Sequence, residues 1–201
     1  YRNYCRSLGN SKRTLMNKVQ VFFKGLTEIV GGSKMGLLVL TNQMEDKQIA
    51  IVCDKAMAHE LNIRIGQNSL RHKLLPEVLC WINPDMDTEH YEILFNSIED
   101  GQYKVVLINK LTFEMTPIRA SDAILLAQIA QLEIFMEERL FMRQSVPYEL
   151  GKSKVALPLN ALTSEMLEEA LQRAIENENY ELASNLRDEL NRRKENKDET
   201  V

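Results

Sequence analysis

The segment PIRASDAILLAQIA (117–130) contains three side chains that could take part in chemistry: Arg119, Ser121 and Asp122. They stand directly before a run of apolar residues. Hydrolysis of a phosphodiester needs positive charge to stabilise its transition state and a group or metal ion that activates water. Arg119 could grip a phosphate through two N–H groups, Ser121 could contact the same phosphate, and Asp122 could bind Mg²⁺ or Mn²⁺. The segment is therefore a candidate phosphate-handling site.

The same three residues also fit a purely structural role at the start of a helix. Ser121 as the N-cap residue, with Asp122 in the first turn, would satisfy free backbone N–H groups and favour the helix dipole, an effect of about 1 kcal/mol. Arg119 would then simply pair with Asp122. The two interpretations are compatible, and the local sequence alone favours the structural one.

His72 is the best candidate for a general base, because an unperturbed imidazole titrates near neutral pH. It stands in the run Arg71-His72-Lys73, a small basic patch in which Arg71 could contact a phosphate backbone. A solvated helix face is the simpler interpretation of this run.

Two other motifs fail on inspection. The segment HEL (59–61) has Ile63 where a zinc protease needs its second histidine, and GKS (151–153) has Val146 where a phosphate loop needs its first glycine. The three cysteines contain no Cys-x-x-Cys pair, so neither a disulfide framework nor a structural zinc site is indicated.

The composition predicts a globular cytoplasmic protein. The chain has 201 residues, of which 44% are hydrophobic and 27% charged. Its net charge is −4, so the overall charge does not favour binding to nucleic acid. No apolar run approaches the roughly 18 residues of a membrane span, and we expect no membrane contact. Residues 1–15 are basic and precede Met16, a candidate start; we expect a leader or disordered N-terminus, with a phosphate-binding arm as the alternative.

The elements that must position the candidate residues mix strands and helices over residues 16–150. Apolar runs at 36–42 and 47–54 predict a hairpin, and YEILFNSIE and QYKVVLIN predict a second one around Asp100-Gly101. Helices are predicted at 55–65, at 69–82 with a kink or break at Pro76, and at 122–131, with a strand near 112–119. This pattern predicts one α+β domain with a mixed or antiparallel sheet.

The C-terminal part of the chain has a different character. A linker is expected at 151–162, an antiparallel helical hairpin at 163–196 and a short tail at 197–201. Apolar stripes at helical spacing run along both halves of the hairpin, interrupted at NEN (177–179). Such a hairpin is too small to be robust alone, so it should dock on something.

The segment LEEALQRAIENENYELASNLRDELNRRK (167–194) resembles the UVR motif, the helical hairpin shared by the UvrB and UvrC repair proteins. In that family the hairpin is a protein-docking element and not a catalyst. The resemblance implies a protein partner, and the residues of this chain that would carry the docking are Leu167, Leu171, Tyr180, Leu186, Arg187 and Leu190.

The segments IAIVCDKAMAHEL, LRHKLLPEVL, DGQYKVVL, IRASDAILLA and EIFMEERL follow one another as in the bacterial bifunctional nuclease domain, which this chain resembles over roughly residues 18–146. The resemblance implies an α+β fold, self-association into a homo-oligomer, and hydrolysis of DNA and RNA. In that function Asp122 binds metal, Arg119 and Ser121 contact phosphate, and His72 is the base or a phosphate ligand.

The chain departs from the family pattern at three positions. Lys73 stands where an aspartate is usual, Met57 where an acidic residue is usual, and Ala120 where a proline is usual. Asp54 is the carboxylate nearest to Met57 and is the second candidate metal ligand. The two missing carboxylates favour the alternative, a non-catalytic, self-associating adaptor whose hairpin recruits a DNA-repair or proteolysis partner.

Overall fold

The computed structural model describes residues 17–28, 35–65, 73–148, 159 and 162–198. Eight strands form one mixed sheet: β1 (Lys18–Glu28), β2 (Met35–Asn42), β3 (Lys47–Asp54), β4 (Tyr91–Glu99), β5 (Gln102–Asn109), β6 (Met115–Ile118), β7 (Glu133–Glu137) and β8 (Val146–Pro147). The helices are α1 (Lys55–Ile65), α2 (Leu75–Ile82), α3 (Ala120–Ala130), α4 (Glu138–Gln144), α5 (Ser164–Glu176) and α6 (Tyr180–Asp198). The fold is α+β, as the sequence predicts.

The strands are arranged in the order β6-β5-β4-β7-β1-β2-β3-β8. Only β4 and β7 pair in parallel, and every other neighbouring pair is antiparallel. Both predicted hairpins are confirmed, as β2–β3 and as β4–β5. Asp100 and Gly101 have φ values of 47° and 73°, the left-handed pair that a two-residue turn between strands requires.

Helix α3 organises the core of the domain. Its sequence is almost entirely apolar, and Ala123, Ile124, Leu125 and Ala127 are buried. The helix contacts β3, β4, β5 and β7, strands that stand far apart in the sheet order. The sheet therefore curls around α3, and this curvature brings the end of β3 towards the start of β5 and the end of β6.

Three predicted elements differ in their bounds. The helix predicted at 122–131 begins at Ala120, and the strand predicted near 112–119 is confined to Met115–Ile118 because a tight turn with Phe113 at φ 59° precedes it. The second predicted helix begins only at Leu75, since Pro76 fits the first turn of a helix, where no backbone donor is needed. Residues 69–72 of that prediction lie outside the described residues, as do residues 1–16.

Helices α5 and α6 form the predicted C-terminal hairpin, which has a small core of its own. Its buried members are Leu162, Leu167, Ala174, Ala183, Leu186 and Leu190, and Val52 of β3 packs against them. Leu162 and Leu159 belong to the segment predicted as a linker, but both pack with the hairpin because their apolar side chains extend its core. The hairpin therefore packs against the sheet of its own chain.

None of the helices in the described part of the chain has the length and apolar character that crossing a membrane requires.

Candidate functional site

A cleft of about 420 Å³ lies where the curled sheet meets the base of the C-terminal hairpin. Three predicted site residues line it: Asp54 at the end of β3, and Arg119 and Ser121 at the start of α3. The turn between β4 and β5 contributes part of the wall. The wall of the cleft also includes Gln102, Tyr103, Thr163 and Met166.

Arg119 and Asp122 form a two-point ion pair at this cleft. Arg119 Nε donates to Asp122 Oδ2 at 2.5 Å and Nη2 donates to Oδ1 at 3.0 Å. The pair raises the pKa of Arg119 above its ordinary value, through the hydrogen bond and the charge of Asp122 and with a smaller contribution from Asp54. The Arg119 side chain remains 69% exposed, and its Nη1 has no hydrogen bond within the described residues. The guanidinium is therefore fixed in orientation while it stays accessible to an anion.

Ser121 does not cap helix α3, contrary to the structural interpretation of the sequence. The N-cap residue is Arg119, with φ −67° and ψ 144°, and no side chain caps the helix. Ser121 is the second helical residue, so its hydroxyl is past the position that could reach the free N–H groups. Within the described residues this hydroxyl has no hydrogen-bond partner. Asp122 lies in the first turn, as predicted.

Asp54 caps the helix that follows it. Its Oδ1 accepts a 2.8 Å hydrogen bond from the backbone N–H of Met57, near the start of α1. This bond explains a carboxylate at the end of β3 without any ligand. The side chain is exposed and lines the cleft.

The donors at the cleft do not fit a divalent-cation site. The carboxylate of Asp122 is engaged on both oxygens by Arg119, and Asp54 uses one oxygen as a cap. Among the residues that the structure describes, no group of three or more His, Cys, Asp or Glu could hold a metal ion. Mg²⁺ or Mn²⁺ at Asp122 and Asp54 therefore stays a prediction that this geometry does not support.

His72 and Arg71 lie in segment 66–72, outside the described residues, so the predicted base and its basic neighbour stay predictions. Lys73, the last residue of the basic run, is described and exposed.

Several lining residues are not among the predicted site residues, including Gln102, Tyr103, Thr163 and Met166. Burial raises the pKa of Tyr103, whose ring packs edge-on against Phe95. The Asp100-Gly101 signal identified the turn that precedes Gln102, but no local pattern shows that the helical hairpin would close the cleft. That information lies in contacts between residues far apart in the chain.

The hairpin is clamped to the β4–β5 turn by polar groups. Ser164 Oγ donates to Asp100 Oδ1 at 2.5 Å, and Arg193 Nη1 reaches the same carboxylate oxygen at 3.4 Å. Arg193 also donates to the carbonyl oxygens of Leu162 at 2.6 Å and Leu159 at 3.1 Å. One guanidinium thus ties α6 to the segment that enters α5.

The predicted partner-docking residues fall into two groups. Leu167, Leu186 and Leu190 are buried in the hairpin's own core, since they form the apolar stripes that join the two helices, so they offer no surface to a partner. Leu171 is half-buried against the same core. Tyr180 and Arg187 are exposed.

Family models match two parts of the chain. The bifunctional nuclease domain matches residues 38–149, more than half of the chain, and this range includes Asp54, Arg119, Ser121 and Asp122. The UvrB/UvrC motif matches residues 160–195, which cover α5 and most of α6. No curated protein shows significant similarity to the chain. The chain therefore belongs to the bifunctional nuclease domain family and carries a UvrB/UvrC motif after that domain.

Proposed function

We propose that this protein hydrolyses phosphodiester bonds in DNA and RNA at the cleft beside Arg119, and that its C-terminal hairpin docks a partner protein. The observation that carries the proposal is the accessible guanidinium of Arg119, held by Asp122 at a cleft inside the region that matches the nuclease family. A polyanion needs such a fixed cation, because charge develops on the phosphoryl oxygens during hydrolysis.

Each residue has a defined task in this proposal. Arg119 binds a non-bridging phosphate oxygen through Nη1, and Asp122 is a positioning residue that orients the guanidinium. Ser121 donates its hydroxyl hydrogen to the same phosphate. His72 accepts the proton of the attacking water, the P–O bond to the leaving oxygen breaks as the new P–O bond forms, and the leaving oxygen takes up a proton from solvent water. A divalent cation is tested as a separate condition below.

The docking function falls to the exposed part of the hairpin. Tyr180 presents most of its ring at the start of α6, and Arg187 lies further along the same helix with its side chain accessible. Aromatic and arginine side chains are the residues that dominate protein interfaces. A homo-oligomer is also part of the proposal, as the family resemblance implies.

The test is cleavage of plasmid DNA and of RNA by the purified full chain, with added Mg²⁺ or Mn²⁺ and, in a parallel arm, with EDTA. Arg119→Ala should lower the rate roughly 100-fold, the loss typical when one transition-state donor is removed. Arg173→Ala is the matched control, because Arg173 is an exposed arginine that pairs with Glu169 on the hairpin. Equal cleavage by the wild-type chain and Arg119→Ala would assign the activity to a contaminant.

A non-catalytic adaptor is the second candidate, favoured by the engaged carboxylates of Asp54 and Asp122. It predicts no cleavage in any condition, together with capture of a protein partner that Tyr180→Ala abolishes. Retained capture without cleavage would establish the adaptor and overturn the nuclease.

A further inference from the structure

Helix α2 exposes its apolar residues to solvent. Leu75, Val78, Leu79, Trp81 and Ile82 are between 36% and 84% exposed, Trp81 the most, and no residue of this eight-residue helix is buried. A surface helix of a monomeric protein normally turns its apolar stripe inward and its charged residues outward. Helix α2 has the reverse orientation.

The single charged residue of α2 faces the protein. Glu77 accepts two 2.8 Å hydrogen bonds from Arg64 of α1, and both side chains are largely buried. Arg64 also bonds Glu60, so its charge is satisfied within the chain. Because this ion pair fixes the rotation of α2, the outward direction of the apolar stripe is a built feature of the fold.

The exposed surface is large enough for a specific interface. The apolar residues of α2 themselves make up this surface. A tryptophan side chain alone presents on the order of 150–250 Å², so Trp81 and the four partly exposed aliphatic side chains together expose on the order of 600 Å². An exposed apolar area of this size is at the upper end for a monomeric protein, whose largest apolar patch is about 300–600 Å². It also approaches the roughly 800 Å² that each partner contributes to a standard interface.

The charge and polarity of the patch indicate which kind of partner it binds. A helix that lies on a membrane carries Lys or Arg along its polar face, whereas the polar face of α2 carries Pro76, Glu77 and Cys80. A nucleic acid needs cations, and α2 has none. An apolar, uncharged face is complementary to itself, so two copies related by a twofold axis bury it without bringing like charges together at the contact.

We propose that α2 is the self-association surface of this protein, where the α2 helices of two copies pack against each other through Leu75, Val78, Leu79 and Ile82, with Trp81 at the edge of this contact. The inference deepens the self-association proposed above and rests on it, but it does not depend on nuclease activity.

The experiment measures mass and tryptophan emission of the full chain over a dilution series. Trp81 is the only tryptophan, so its emission reports directly on burial of the patch. We expect a dimer by sedimentation equilibrium, with emission that shifts to longer wavelength on dissociation. Leu79→Glu should weaken the dimer at least about 30-fold, as expected for an interface hot spot. Circular dichroism of the variant checks that it is folded.

Phe113→Glu is the matched control, because Phe113 is equally large and exposed but lies in the turn between β5 and β6. It should leave the dimer intact. A wild-type chain that stays monomeric, or an oligomer that Leu79→Glu leaves intact, overturns the proposal. Binding of a monomeric chain to phospholipid vesicles with a blue-shifted Trp81 emission overturns it in favour of a membrane. Cleavage by the Leu79→Glu chain tests the proposed nuclease separately.

Discussion

A methyl group placed on Gly101 would lie 2.0 Å from the carbonyl oxygen of Leu162, so the β4–β5 turn and the base of the C-terminal hairpin are in close backbone contact. Gln102 and Tyr103, which follow this turn, line the same cleft as Thr163 and Met166, which follow Leu162. The hairpin is therefore a wall of the candidate site, and its attachment can be tested.

Gly101→Ala should release the hairpin from the sheet. The alanine methyl group would collide with the backbone of Leu162. In addition, the φ of 73° at position 101 is unfavourable for a residue with a side chain, by about 1–2 kcal/mol. We expect faster hydrogen exchange in α5 and α6. Hydrogen exchange with mass spectrometry measures both helices against helix α4, which contains neither of the two glycines compared here.

Gly25→Ala is the control for backbone strain alone. Gly25 also has a positive φ, of 156°, but a side chain there would meet no atom within 4 Å. This variant should lose some stability while the hairpin stays protected. Equal protection of α5 and α6 in Gly101→Ala and wild type would show that the turn does not hold the hairpin.

Arg193→Ala should destabilise the hairpin far more than Arg192→Ala. The Arg193 side chain is only 11% exposed and bonds Glu189, Asp100 and two carbonyl oxygens, whereas Arg192 bonds Glu189 at the surface. Removing Arg193 leaves partly buried acceptors unpaired, at about 2–3 kcal/mol. An exposed pair contributes roughly 0–1 kcal/mol. Urea unfolding followed by circular dichroism measures the difference, and similar losses in the two variants would contradict the clamp.

The sequence predicts those parts of the fold that depend on local patterns. The alternation of apolar residues and the Asp100-Gly101 pair identify both hairpins, because turn chemistry and strand periodicity act over a few residues. The Arg119–Asp122 pair was predictable for the same reason, since one helical turn separates the two residues.

Features that depend on distant contacts were not predictable. The cleft exists because the sheet curls around α3 and because Arg193 meets the carbonyl of Leu162, thirty-one positions away in the chain. The sequence predicts a helix at 69–82 but does not show which way its apolar stripe faces, and the ion pair between Arg64 and Glu77 turns that stripe outward. The spacing of apolar residues identifies an apolar stripe on a helix, but it does not show which other part of the structure packs against that stripe.

Acid should loosen the hairpin. Burial opposes ionisation of Glu189, but hydrogen bonds from Arg192 and Arg193 outweigh it, and the pKa of this carboxyl is lowered from its ordinary 4.5. The ionised Glu189 carboxylate is held more strongly in the folded protein than in the unfolded chain, so it stabilises the fold at every pH above 4.5. This stabilisation is lost as the pH falls through the lower pKa that Glu189 has in the folded state.

The measurement is urea unfolding of α5 and α6 between about pH 7 and about pH 3, with Glu189→Gln as reference. The variant should be less stable than wild type at neutral pH, and the gap should close in acid because the glutamine does not titrate. A gap that stays constant over the whole range would mean that Glu189 does not carry this pH dependence.

Leu186 and Tyr180 should separate stability from partner docking in the hairpin. Leu186 is 1% exposed in the hairpin core, so Leu186→Ala should lower the free energy of unfolding by about 2–4 kcal/mol. Tyr180 is 69% exposed, so Tyr180→Ala should change stability by less than about 0.5 kcal/mol while it weakens capture of a protein partner. Thermal unfolding and affinity capture with the tagged full chain measure the two effects. If Tyr180→Ala left capture unchanged at wild-type stability, the partner would have to bind a surface other than the start of α6.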